Sequence, residues 1–194
     1  RGGALFAAYV VLGIVGLQLA SVGRDVTLLW PPAGVSVAAL LAWGLGPWWA
    51  VLGGAFVVNA WWAQTPWPLA LGVAVGNTLE AVVAAVFLRQ LGFQRDMARP
   101  RDLGLLALVG GGVAPAMAAA VGTATLTLGG KLPLEAWERA FTVWWLGDGT
   151  SILVLVPVLL GLSVREHARP VPAPPVAVLP VLATVTLGAF LLPF

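Results

Sequence analysis

Residues 67–90 read WPLALGVAVGNTLEAVVAAVFLRQ. Apolar side chains fill this run, Glu80 interrupts its middle, and Arg89 closes it. A helix rises about 1.5 Å per residue, so a run of this length crosses the roughly 30 Å hydrocarbon core of a bilayer. A carboxylate at the centre of a lipid-exposed span costs roughly 2.5–3.5 kcal/mol on insertion scales. Glu80 is therefore expected to face inward and to have a partner. Asp148, in Trp144-Trp145-Leu146-Gly147-Asp148, is the same kind of anomaly in a second apolar run.

The rest of the chain has the same character. Of its 194 residues 60% are hydrophobic and 9% charged, and the mean hydropathy is +0.96. A soluble domain of this size cannot hide so much apolar surface. Cysteine is absent, which excludes a disulfide framework and a thiolate metal site, and the one histidine, His167, excludes histidine-rich metal chemistry. A pI near 9.9 fits nucleic-acid binders, but the net charge is only +2. The basic residues gather in two links, so membrane topology explains them and no nucleic-acid partner is expected.

The expected fold is all-α: a polytopic transmembrane bundle of about seven helices. They cover about 4–22, 31–45, 47–62, 67–90, 102–128, 134–164 and 176–194. Arg89, Arg95, Arg99 and Arg101 lie between the fourth and fifth, and Arg165 and Arg169 between the sixth and seventh. Lys/Arg-rich links stay inside, which puts the amino terminus in the cytoplasm. The opposite links hold only Arg24, Lys131 and Arg139. The second and third helices are short, joined by Gly44-Leu45-Gly46-Pro47. Such a hairpin leaves Leu28-Leu29-Trp30 non-helical at membrane depth, beneath an outward-facing recess or within a thin, tilted domain. The fifth helix, rich in Gly and Ala, reads as a packing helix kinked at Pro115, with Asp102 as its cap. Glu135 and Glu138 suit the first turn of the sixth helix.

Asn77 and Glu80 are three apart on one helix face, and Trp144 and Asp148 are four apart on another. Asn59 and Trp30 fall at a similar outer level. Trp30, Asn59, Asn77, Glu80, Trp144, Trp145 and Asp148 are thus the candidate ligand-binding residues. Interhelical glue is the competing reading, since polar bonds between membrane helices stabilise by about 0.6–2 kcal/mol. Trp43, Trp48 and Trp49, and on the other side Trp61, Trp62, Trp67 and Trp137, fit an aromatic belt. Trp144 and Trp145 lie deeper. An aromatic beside a carboxylate suits an amine or quaternary cation. The amino-terminal end of the second helix favours an anion, so a zwitterion fits both. Glu80 is also placed to report proton activity.

Four blocks carry a resemblance: Leu29-Trp30-Pro31-Pro32-Ala33-Gly34-Val35, Gly53-Gly54-Ala55-Phe56-Val57-Val58-Asn59, Gly76-Asn77-Thr78-Leu79-Glu80-Ala81, and Trp144-Trp145-Leu146-Gly147-Asp148 followed by Pro157. In order and spacing they resemble the membrane-associated sensor domain family, type one (MASE), across nearly the whole chain. The resemblance implies a bacterial inner-membrane sensory module of about eight helices, with Pro31, Pro32, Gly34, Gly76, Gly147 and Pro157 as its structural positions. It also implies a cytoplasmic histidine kinase, diguanylate cyclase or phosphodiesterase domain on the same polypeptide. An eighth helix and that effector are expected to follow residue 194, so residues 1–194 are read as the sensor domain alone.

The function expected is therefore sensing rather than catalysis, with no cofactor and no metal. Gly-x-Ser-x-Gly and metal-ligand clusters are absent from the sequence. Two other roles fit the same helices: a transport or substrate-capture subunit, and a passive anchor that forms homodimers.

Overall fold

The computed structural model describes residues 1–18, 20–22, 26–27 and 29–165. Helix α1 spans Gly2–Gln18. Two short antiparallel strands follow, β1 (Ala20–Val22) and β2 (Val26–Thr27). Helix α2 spans Pro31–Trp43. Helix α3 spans Trp48–Val57 and continues as a π-helical turn, Val58–Trp62. Helix α4 is Trp67–Gln90. Helix α5 spans Pro100–Leu128, with a π-helical stretch at Leu106–Val113. Helix α6, Trp137–Arg165, is entered through a 3-10 turn at Leu134–Ala136.

This is an all-α membrane bundle. Trp67–Gln90, Pro100–Leu128 and Leu134–Leu162 are long and apolar enough to cross a membrane, and Gly2–Gln18 and Pro31–Trp43 are shorter apolar helices. The expected helix at 176–194, and Arg24, His167 and Arg169, lie outside the described residues.

The fourth expected helix coincides with α4; the others differ at their edges. The first ends at Gln18 rather than near 22, because Ala20 and Val22 pair across a strand with Thr27 and Val26 instead of continuing the helix. These strands rest against α6 and α1, where the sequence suggests a recess. Helix α2 stops two residues early at Gly44, whose φ of 92° takes it out of the helical region at no steric cost. Helix α5 starts at Pro100, because proline suits a first helical position where its missing N–H goes unused. Its N-cap residue is Arg99, so Asp102 is not the cap. The buried Asp102 carboxylate instead accepts bonds from the Gln94 N–H at 3.0 Å and from Arg99 Nε at 2.8 Å.

The break expected at Pro115 takes the form of the π-helical stretch just before it. Pro115 has no N–H, and in a regular helix its ring collides with the carbonyl four residues back. Widening the helix relieves that collision, and the Ala114 N–H reaches back five residues to the Val109 carbonyl.

Helix α2 is central. Nine of its 13 residues are buried, and it packs on α1, α4 and α6. Helix α4 packs on α3 and α5, and α5 on α6. At Gly34 the backbone of α2 meets α6 so closely that a Cβ would collide with the Ser151 carbonyl, with Leu155 Cβ at 2.8 Å. At about 1.5 Å per residue α2 is roughly 20 Å long, shorter than the hydrocarbon core. Its entry, Leu29-Trp30, is non-helical as expected.

Cationic side chains tie the loops at the two ends. Arg89 donates to the carbonyls of Leu40 and Leu41, and Arg95 to that of Ala42 at 3.1 Å, so both cap the carboxyl end of α2. Arg101 donates to the Leu91 carbonyl at 2.8 Å. At the opposite end Lys131 joins the α5–α6 link to the α3–α4 link through Ala63 and Thr65. Trp43, Trp48 and Trp49 are exposed, as are Trp61, Trp62 and Trp67. Trp137 is half-buried and stacks on Phe141 at 5.3 Å.

Candidate functional site: an acidic cluster between α1, α4 and α6

Helix α4 is sided. Leu71, Val75 and Leu79, spaced by four, are exposed, while Val73, Asn77, Glu80, Ala84 and Leu88 are buried. Apolar side chains take the lipid side, which turns Asn77 and Glu80 to the interior. On α6 the spacing of Trp144, Asp148 and Ser151 likewise puts all three on the buried face.

These faces meet around Tyr9 of α1, which is 1% exposed. Asn77 Nδ2 donates to the Tyr9 hydroxyl at 3.0 Å. The Tyr9 and Trp30 rings meet edge to face, 6.4 Å between centroids. The Trp30 backbone N–H donates to Ser151 Oγ at 2.9 Å, and Ser151 Oγ donates to the Gly147 carbonyl at 2.8 Å. Glu80 and Asp148 lie within hydrogen-bonding reach of each other, Trp144 within reach of Asp148, and both acids act on Tyr9.

The polar bookkeeping of this cluster is one-sided. Asn77 Oδ1, Glu80 Oε1 and both carboxylate oxygens of Asp148 are buried without a hydrogen-bond partner. Glu80 and Asp148 are each 1% exposed. No ion pair among the described residues reaches either acid; Arg99 and Asp102 form a pair at 2.7 Å elsewhere. The amide oxygen and any ionised carboxylate oxygen among these atoms are acceptors, so a proton held between the acids, a further donor or a cation would satisfy them. Among the described residues no group of three or more His, Cys, Asp or Glu forms a metal cluster.

Of the candidate residues, Trp30, Asn77, Glu80, Trp144 and Asp148 come together. Asn59 does not join them: it is buried on the π-turn, and its Nδ2 donates to the Ala55 carbonyl of its own helix at 2.9 Å. Trp145 faces α5 instead, with its indole N–H on the Gly112 carbonyl at 2.9 Å and its ring against Phe141. One residue is about 100° around a helix, so Trp144 and Trp145 cannot share a face. Pro31 and Pro32 open α2, and Pro157 lies inside α6. Gly76 is buried against α5, where a Cβ would meet Val121 Cγ1 at 3.2 Å.

Two cluster members escape sequence reasoning. Tyr9 is the one tyrosine of the chain, a polar tip in an apolar helix, and that rarity is a usable signal. Ser151 lies three residues after Asp148 and so close to its face.

The MASE1 family model matches residues 1–194. The chain belongs to the MASE1 family. MASE1 is a family of membrane-associated sensor domains, so a membrane location and a sensory input role come with membership. No curated protein and no solved structure matches the chain. In this MASE1 domain three of the four sequence blocks, those at Trp30, at Asn77 and Glu80, and at Trp144 and Asp148, meet in the acidic cluster.

Proposed function

We propose that this MASE1 domain is the input module of a bacterial inner-membrane signalling protein, with its amino terminus in the cytoplasm. A small ligand enters from the outer side and binds at Tyr9, Trp30, Asn77, Glu80, Trp144 and Asp148. Binding favours one arrangement of α4 and α6 across the cluster, and the shift passes to a cytoplasmic histidine kinase or cyclic-di-GMP enzyme that follows on the same polypeptide. A ligand moves such an equilibrium only by its differential affinity for the two arrangements. The observation that carries this reading is the buried set of orphaned acceptors. Apolar packing would hold the helices at lower cost than two adjacent buried acids, which argues against mere glue.

Between an amine and a zwitterion, the helix geometry favours the amine. The amino end of α2 offers few free donors: Pro31 and Pro32 have none, the Ala33 N–H bonds to the Trp30 carbonyl at 3.0 Å, and the Trp30 N–H is taken by Ser151. An anionic group would find little there to bind.

The test is effector output of the intact protein in membranes. Combining Glu80→Gln with Asp148→Asn is expected to shift output by about 5-fold or more, the lower end of ordinary coupling energies. Replacing the domain by an unrelated membrane anchor should abolish regulation. Unchanged output from both proteins would leave a passive anchor, and solute or proton flux through the domain in vesicles would favour a transporter.

A further inference from the structure

We infer that Asn77, Glu80 and Asp148 form an oxygen site for a compact monovalent cation, Na⁺ or a primary ammonium. This rests on the sensory reading of the cluster and adds the class of its ligand. Four buried oxygens from three side chains on α4 and α6 lack a partner of full hydrogen-bond geometry, and the two acids among them, Glu80 and Asp148, lie within reach of each other. The nearby polar groups that are satisfied point elsewhere: Asn77 Nδ2 is on Tyr9, and Ser151 Oγ is on Gly147. No lysine or arginine ion pair among the described residues reaches the acids. No counter-charge among the described residues offsets two ionised acids here, whereas one proton shared between them and one small monovalent cation balance the pair.

The donor set selects the size and charge of that cation. Carboxylate and amide oxygens are hard ligands, which suit alkali ions and N–H donors rather than soft transition metals. Calcium takes six to eight oxygens, and magnesium keeps several waters in an octahedral shell. Three nearly inaccessible side chains offer neither arrangement. A bulky quaternary amine needs an aromatic box. Here the Trp144 ring is already packed on Gly122, where a Cβ would collide with it, and the Trp30 ring is packed edge to face on Tyr9. What remains is a small ion that sits between the carboxylates and draws α4 and α6 together.

The test is thermal unfolding of the full chain in nanodiscs at constant ionic strength. NaCl, methylammonium chloride and N-methylglucamine chloride are titrated in parallel. The site predicts a saturable rise in the unfolding midpoint with Na⁺ or methylammonium, of about 5–10 °C at a hundredfold excess over Kd. N-methylglucamine, too large for the site, should give none. A response to Na⁺ alone identifies a metal-ion site, and one to methylammonium alone an amine site. Asp148→Asn should weaken half-saturation at least tenfold. If that variant does not fold, Asn77→Ala, which removes one uncharged ligand, should raise the half-saturating concentration several-fold. Identical midpoints in all three salts, or half-saturation unchanged by Asn77→Ala, would overturn the site. The two readings fail separately: cation binding without any change of effector output removes the sensory role, whereas output that depends on Glu80 and Asp148 without cation binding removes the ligand class.

Discussion

Tyr9 holds Asn77 from across the bundle, and Ser151 holds the Trp30 backbone. Tyr9→Phe removes the acceptor and leaves the Asn77 amide donor buried without a partner, at an expected cost of about 1–3 kcal/mol. Ser151→Ala strands the Trp30 N–H at a similar cost. Chemical unfolding of the two single variants and the double variant measures both effects. Because the Trp30 ring lies against Tyr9, their sum should depart from additivity by at least about 0.5 kcal/mol. Glu80 and Asp148 were legible in the sequence because a charge in an apolar helix is conspicuous. Tyr9 was less so: it is the one tyrosine of the chain, but one aromatic in an apolar run also suits lipid. Asn59 and Trp145 lie apart from the cluster for a different reason. Spacing tells which residues share a face of one helix, but the rotation of that helix against its neighbours is set by packing far along the chain.

At the scale of elements, α2 links the cluster to the arginine-rich loops. Its entry carries Trp30, and its exit is capped by Arg89 and Arg95. Gly34→Val should force α2 off α6 and cost at least about 1–3 kcal/mol, because the obstacle is the Ser151 backbone rather than a movable side chain. Gly46→Ala, where a Cβ meets nothing within 4 Å, should leave the unfolding midpoint nearly unchanged. Arg89→Ala should destabilise by about 1–2 kcal/mol through loss of charge-assisted bonds to the last carbonyls of α2. Arg89→Lys should restore part of that. The edges of α4 could be read from the sequence because Pro66 and Pro68 bracket its start and Gly92 follows its end. The π-helical stretch of α5 could not. Pro115 signals a disturbance there, but only the packing of α5 against α6 decides between a kink and a widened helix.

For the whole molecule, hydropathy was enough to give the helix bundle, because the bilayer allows so few solutions, while the arginine links give an orientation that labelling tests. The absence of cysteine makes topology directly testable. Single cysteines at Asp96 and at Gln64, both exposed, should react with an impermeant thiol reagent from opposite sides, Gln64→Cys from outside intact cells and Asp96→Cys only after lysis. The reverse pattern would invert the proposed orientation. The central claim is that the acidic cluster sets how far apart α4 and α6, which face each other across it, are held. Spin labels on Gln90→Cys and Leu162→Cys, exposed positions toward the ends of those helices, report that separation by pulsed electron paramagnetic resonance in the intact protein. Adding Glu80→Gln and Asp148→Asn should shift the distance distribution and change effector output with it. An unchanged distribution with unchanged output would contradict the account.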